Sequence, residues 1–550
     1  MSRARVDGAT LRRAEEVIDT SGLAETLETR LAEQRRSAAG RRRAVTVRTL
    51  LVLLTATALA GHPLHLARVH EVAVSLPMAT RRRLGITARR RTDTVTVRQL
   101  GYLFNRIAAA VDPSPHFAGP DAADDTADER AERAAALQNV LDELLDATLP
   151  RADRDTHDGA YAVDATDLPA WARPRANAAA SHDPDAGWYV KRAGGRAVTR
   201  DGTEPGGRTK PRGANRRRND HFTFGYELHA FVRTRADGAE EAAPALADRI
   251  LVRRAGTGSV TGVVDALRRL SRRRHVTEVI ADRWYSSKTV EHFHYPLRAL
   301  GIDLTFDLMP DQLGVRGQTA GAPMLQGAPH CPATPQRWRE PDPPHWFDRQ
   351  GRDELATQQQ RRRSYALARH SGPDADGYER WQCPAEAGKV RCPLKPASMQ
   401  LPMTLPTVHT HPDPADGPLP RVCQQKTVTI PADAGDRTRQ KHYWGSAEWQ
   451  ASYARRNVVE GWFGTLKSAT HENVGAAGRL RVFGLAKTSL LVGIAAAACN
   501  LRMADAWQRR HTGDDTTDGH TDGDGGQPAA GRQRPRRRRA LPTLAGADPG

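Results

Sequence analysis

Cysteine is scarce in this chain, with five among 550 residues, so a disulfide framework is excluded. Long apolar runs are short in the N-terminal part. The most apolar, residues 50–60, falls well below the ~18–20 residues of a membrane span. The start, Met1-Ser2-Arg3-Ala4-Arg5, is charged and has no apolar signal-peptide core. Together these absences predict a reduced, cytoplasmic, nucleoid-associated setting and no membrane partner. Acidic residues are in deficit: 64 Asp and Glu stand against 82 Lys and Arg, a formal charge of +18. Such an excess favours a polyanionic partner, because Lys and Arg neutralise phosphates and release condensed counterions. A ribosomal or membrane-surface protein shares that balance, and part of the arginine content can reflect codon bias.

What is present has an order. Residues 1–150 read as helical: Val97, Leu100, Phe104, Ile107 and Val111 recur at spacings of three or four, and Leu137, Val140, Leu141, Leu144 and Leu145 repeat the pattern before Pro150. Arginine clusters at 41–43, 81–83 and 89–91 suit either solvated helix ends or a helical domain that grips DNA. From Tyr161 the pattern changes to strands, at 161–166, 222–233 and 250–254. A helix over 262–270, a strand over 276–281, a helix over 286–300 and a strand over 303–308 follow. This order predicts a mixed α/β sheet. Residues 191–218 hold ten Lys or Arg against two acids and form a basic loop. Helices are expected over 448–468 and 482–503.

Two acids sit at strand ends, Asp164 and Asp282. A third, Glu460, lies on the helix expected over 448–468. There Tyr453, Arg456, Glu460 and Lys467 fall at offsets 0, 3, 7 and 14, within roughly 60° of one another on a continuous helix. Val459, Trp462, Phe463 and Leu466 make a neighbouring apolar stripe. Transfer of a DNA phosphoryl group asks for divalent metals held by oxygen ligands, and three carboxylates from separate segments are a sufficient protein contribution.

The spacing Tyr453-x2-Arg456-x3-Glu460-x6-Lys467 resembles the third-carboxylate motif of a branch of DDE transposases from bacterial insertion sequences. Val163-Asp164-Ala165-Thr166 is similar to the first-Asp strand of that family, and Asp282-Arg283-Trp284-Tyr285 to its second-Asp segment. Phe224-Gly225-Tyr226-Glu227-Leu228-His229 looks like its Gly-Tyr-x-Leu-His strand, with Glu227 where a Lys is common. The likeness covers about 160–310 and 445–505. It implies a ribonuclease H-like mixed sheet flanked by helices, and a metal-binding triad of Asp164, Asp282 and Glu460 holding two Mg²⁺ or Mn²⁺ ions. It also implies double-stranded DNA as the partner and a homodimer on it. Lys467 and Arg456 are expected at phosphates near the scissile bond, Tyr453 beside the DNA, and Arg216, Arg217 and Arg218 on the duplex. Asp167, three residues beyond Asp164, faces the other side of a strand, and the family pattern favours Asp164.

The distance of 178 positions from Asp282 to Glu460 calls for an insertion. The division expected is a helical, DNA-binding domain over 1–150; the catalytic core over 151–308 and 444–505; a Cys/Pro-rich insertion over 309–443; and a basic tail over 506–550 with Arg536–Arg539. The insertion holds Cys331, Cys383, Cys392 and Cys423, three of them followed by Pro. Four thiols suit a structural zinc site, with His330, His345, His409 or His411 as substitutes, or remain reduced cysteines. Cys499 reads as core. The function implied is a transposase that cuts and joins DNA. A nuclease without strand transfer, and a DNA-binding descendant that has lost catalysis, remain the alternatives.

Overall fold

The computed structural model describes residues 4–34, 43, 45–86, 95–114, 116, 126–173, 181–191, 221–235, 242–257, 260–339, 357–374, 376–409, 417–431, 434 and 436–512. The basic segment with Arg216, Arg217 and Arg218, the ligand candidates His345 and His411, and the Arg536–Arg539 tail lie outside these residues.

The central sheet has six strands: β1 (Ala160–Pro169), β2 (Gly187–Lys191), β3 (His221–Arg233), β4 (Ala247–Arg254), β5 (Glu278–Ala281) and β6 (Asp303–Phe306). Their order is β2-β3-β1-β5-β6, with β4 also on β3. β1 runs antiparallel to β3 and parallel to β5, and β5 is parallel to β6. This mixed α/β sheet with flanking helices is consistent with a ribonuclease H-like fold. The sequence patterns did not foretell β2. It exists because β3, at 13 residues, is long enough to carry two partners end to end on one edge. β2 pairs with residues 221–225 and β4 with 226–232. Gly225 sits at the handover, where a Cβ would come within 1.9 Å of the Leu168 carbonyl oxygen, so only glycine allows that approach of β1.

Side chains alternate between two cores, as the pleat requires. Ala162, Leu168, Tyr226, Leu228, Ala230, Ile250 and Val252 join one apolar cluster. Tyr161, Val163 and Phe231 join another, built with Val263, Val264, Leu267 and Leu270 of the helix Thr261–Arg273. The first cluster is continuous with helices before residue 150. Val97–Ala110 opens on a capping box of Thr96 and Gln99 and buries Leu100, Leu103, Phe104 and Ile107. Ala127–Asp146 opens on a second capping box, Thr126 with Glu129. Its Asp146 accepts a 2.9 Å bond from the buried Arg249 of β4.

The helix Leu485–Thr512 lies along the same face, with Ala486 and residues 488–501 buried. It is long and apolar enough to cross a membrane by length and composition, and 72% of that apolar window is buried inside the fold. Asn500 is the polar node of this core. Its Oδ1 accepts from Ala247 N (3.0 Å) and Trp462 Nε1 (3.0 Å). Its Nδ2 donates to Ala247 O (2.9 Å) and Thr148 Oγ1 (2.9 Å). One side-chain amide therefore acts as a strand neighbour to β4 and fixes the indole of the helix Asn457–Leu466.

Two expected helices are broken. The segment 286–300 forms a short helix Arg283–Ser286, a wide turn Val290–His294 and a short helix Tyr295–Ala299. Pro296 explains the second break: it lacks an N–H, so the preceding turn cannot close on it with an α-helical bond. The segment 448–468 is two helices, Ala447–Ala454 and Asn457–Leu466, hinged at Arg455 and Arg456. Tight bonds from Arg456 N to Tyr453 O and from Val459 N to Arg456 O turn the chain there.

Between β6 and the helix Ala447–Ala454 lie two further three-stranded sheets. One is built from β7 (Val315–Thr319), β8 (Ala322–Leu325) and β9 (Ala328–Pro329). The other contains β10 (Ala368–Ser371), β11 (Glu379–Gln382) and β12 (Thr427–Ile430).

Candidate active site

Strand register sets the site. β1 and β5 are parallel with Val163 opposite Ala281, so the next residues, Asp164 and Asp282, emerge side by side. β5 and β6 are parallel with Ala281 opposite Phe306, which brings Asp307 next to Asp282. Three neighbouring strands thus present an acid one step beyond the same level. Asp307 was missed in the sequence because it was counted inside a strand drawn to 308. Its buried carboxyl is pushed up by burial, against hydrogen bonds from Trp444 and Leu308 that pull it down, with Trp444 Nε1 at 3.1 Å.

Glu460 reaches this row from the first turn of Asn457–Leu466. Arg456, the residue before that helix, donates to Asp164 Oδ2 at 2.8 Å and makes a very short contact with Glu460 Oε1. The Asp164 carboxyl also accepts its neighbour's amide, Ala165 N, at 2.8 Å. Burial raises the Asp164 carboxyl to about 6, with Asp282 and Glu460 adding to the rise and Arg456 and the Ala165 amide opposing it. On Arg456, burial works against the charge, but Tyr453, Asp164, Glu460 and Asp282 outweigh it and raise its pKa.

The helix break changes the expected stripe. Tyr453 belongs to the preceding helix, Arg456 caps the next one, Glu460 lies in its first turn and Lys467 caps its end. They still face one region because the hinge, rather than a straight helical face, redirects the chain. Tyr453 stacks on Trp449 at 4.9 Å and 10°, and its hydroxyl is raised by burial and by Asp307. Lys467 Nζ bonds Asp167 Oδ1 at 2.9 Å, and Thr223 Oγ1 donates to the other Asp167 oxygen at 2.5 Å. Asp167, the rival first acid, therefore holds the lysine while Asp164 holds the arginine.

A second charged group adjoins the first. Glu227 lies opposite Asp167 across β1 and β3. Burial raises its carboxyl, but His229, Arg253 and Lys288 outweigh that and hold it low. Lys288 Nζ stands 3.2 Å from the Trp284 ring centre, and burial lowers its ammonium to about 8. His229 Nδ1 meets the Tyr285 hydroxyl at 2.9 Å. Glu227, found where a lysine was the family expectation, is thus matched by Lys288, two residues beyond the short helix Arg283–Ser286.

Hard divalent cations suit this donor set. The oxygen donors are carboxylates, and burial, with smaller contributions from Asp282 and Glu460, raises Asp164 in a way that a bound cation relieves. Arg456 supplies that compensation in the metal-free chain. Among the described residues no group of three or more His, Cys, Asp or Glu stands at metal-binding spacing, so Arg456 and the carboxylates must rearrange for ligation. In the insertion, His330 is ruled out as a substitute thiol partner, because Nδ1 engages Ala328 O (2.8 Å) and Nε2 the Tyr443 hydroxyl (3.0 Å). His409 is exposed.

Residues 420–504 match the family model described as the Transposase DDE domain. No curated protein and no solved structure matches the chain. The matched stretch contains Tyr453, Arg456, Glu460 and Lys467 as well as Trp462 and Asn500; Asp164 and Asp282 lie outside it, and Arg456 bonds the first of them.

Proposed function

We propose that this chain, a DDE transposase by its residues 420–504, binds the ends of its own mobile element, cuts there and joins the freed ends to target DNA. As a transposase it belongs to the nucleotidyl-transfer enzymes and acts on DNA. What supports the finer reading is Arg456, bonded to both Asp164 and Glu460, together with the parallel register that sets Asp282 beside Asp164.

Asp164, Asp282 and Glu460 are the residues to hold two Mg²⁺ or Mn²⁺ ions. Bound there, such ions activate a hydroxyl nucleophile and stabilise charge on the transferring phosphate. Hydrolysis of the end phosphodiester uses water and leaves a 3′-hydroxyl. In joining, that hydroxyl attacks a target phosphodiester and displaces its 3′-oxygen, so one bond forms as one breaks. Arg456 and Lys467 bring fixed positive charge to the phosphates, held on course by Asp164 and Asp167. Tyr453, stacked on Trp449, offers a firm edge for the nucleic acid. Two ends must be handled together, which favours a homodimer.

The test is incubation of the purified chain with its flanking DNA and Mg²⁺ or Mn²⁺, scoring cleaved and joined products separately. Asp164→Ala, Asp282→Ala and Glu460→Ala should each abolish cleavage and leave DNA binding largely intact. A folded variant that cuts at the wild-type rate removes its residue from the triad, and cleavage without joining reduces the activity to that of a nuclease.

A further inference from the structure

The apolar core of residues 309–443 is split into small clusters, and Cys423 packs against a different one from Cys331, Cys383 and Cys392. In one of its clusters the buried apolar residues are Cys331, Tyr365, Cys383, Ala385, Val390, Cys392 and Val408. Without the cysteines, Tyr365, Ala385, Val390 and Val408 remain, with Ala333, Trp338 and Leu394 packed against them. The regular elements around it are strands and helices of four residues, such as Ala368–Ser371, Glu379–Gln382 and Arg421–Gln424. Small units of this kind need a staple. The cysteines are free thiols, so no disulfide supplies one.

Four separate segments bring their thiols together. Cys383 N donates to Lys426 O at 3.2 Å, tying the second cysteine to the turn that follows Cys423. Lys395 Nζ, three residues beyond Cys392, donates to Gln425 O at 3.0 Å and ties the third segment to the same turn. Cys331 N donates to Tyr365 O at 2.8 Å inside the shared cluster. Each of Cys331, Cys392 and Cys423 feels other members of the set electrostatically, and Cys331 feels all three.

Three of the four cysteines sit in tight turns. Each Cys-Pro pair opens a tight turn: Thr334 N returns to Cys331 O, Ala387 N to Cys383 O, and Lys395 N to Cys392 O, all at 2.9 Å. These turns aim amide N–H groups at sulfur, from Ala333 to Cys331 and from Leu394 and Lys395 to Cys392. Burial raises the Cys331, Cys392 and Cys423 thiols and keeps them protonated until a metal displaces the proton, and the amides at Cys331 and Cys392 oppose that rise. The Lys395 ammonium adds a nearby positive charge.

We propose that Cys331, Cys383, Cys392 and Cys423 bind one Zn²⁺ that closes the insertion as a structural tetrathiolate site. Binding releases four protons, one from each thiol, and leaves a net charge of −2 on the zinc and its four sulfurs, partly offset by Lys395. Among the described residues no group of three or more His, Cys, Asp or Glu stands at metal-binding spacing, so ligation must turn the thiols toward one another on turns that already exist. The site is separate from the carboxylates and stands or falls independently of the reaction proposed for them.

The full-length chain, purified without chelator, should contain about one zinc per molecule. Replacement of that zinc by Co²⁺ should give the intense visible bands of a tetrahedral thiolate complex. Cys423→Ser, the mildest change because this thiol is only half-buried, and the pair Cys383→Ser/Cys392→Ser should both lower zinc content to near none. Asp164→Ala should keep it. A chain that holds no zinc after purification and reconstitution overturns the site, as does equal zinc in wild type and both cysteine variants. Because the Co²⁺ spectrum is read on wild-type protein, misfolding of a variant does not protect the proposal: Co²⁺ bound without thiolate bands refutes it.

Discussion

Replacing Asp164 by Asn tests whether the site is built for cation binding at the expense of stability. The folded Asp164 carboxyl titrates near 6, about two units above the ordinary aspartate value of ~3.9, and one unit corresponds to about 1.4 kcal/mol. The direction follows from proton binding. The folded chain holds this proton more tightly than the unfolded chain, so stability falls as pH rises from about 4 to about 6, and the cost persists above that. In full it amounts to roughly 3 kcal/mol for the metal-free chain. Asn keeps the acceptor for the Ala165 amide, and Arg456 keeps Glu460. Metal-free Asp164→Asn should therefore exceed wild type by about 1–3 kcal/mol at pH 8, with the gap closing toward pH 4. Urea unfolding at both pH values, with chelator present, measures it. Adding Mn²⁺ at pH 8 should stabilise wild type and leave the variant unmoved, because only a ligand-bound folded state gains. A variant no more stable than wild type at pH 8, or a gap that does not change with pH, refutes this account of the site.

Glu278 should behave in the opposite sense: burial raises it, but Lys441, Ser452, Thr305 and Arg455 outweigh that and hold it near 2. Its contribution, of order 3 kcal/mol, is fully present above about pH 4.5 and lost as pH falls toward 2, so Glu278→Gln should differ most from wild type at neutral pH in acid-unfolding titrations. Trp462→Ala, which removes a fully buried indole bonded to Asn500, should cost about 3–5 kcal/mol, and an unfolding midpoint equal to wild type would mean that the helix Asn457–Leu466 is not anchored there. Lys467→Ala should slow single-turnover cleavage by about 10²–10³ with little change in melting; an unstable variant of normal rate would reduce the lysine to a structural partner of Asp167.

Much of this molecule follows from sequence alone, where the cause is local. The helices Val97–Ala110 and Ala127–Asp146 are written in three- and four-residue apolar spacing and in capping boxes, Thr96 with Gln99 and Thr126 with Glu129. Asp282 is legible because the buried apolar run of β5 stops at a charged residue, and the Tyr453–Lys467 spacing singles out Glu460; Asp164, expected at a strand end, lies midway along β1, which runs on to Pro169 because β3 continues to pair with it. Tertiary structure decided the rest. β2 is a five-residue strand bordering a basic stretch and forms only because β3 offers a free edge. The hinge at Arg455 and Arg456 has no glycine or proline to announce it. There Arg455 is drawn into the buried Glu278 and Ser452, while Arg456 is drawn to Asp164. Asp307 joins the row of acids through the parallel register of β5 and β6, and Lys467 finds Asp167 exactly 300 positions away in the chain. Periodicity and capping act within a few residues, so a sequence displays them; register, long-range ion pairs and the burial that lifts Asp164 depend on which segments meet, and only the folded chain brings them together.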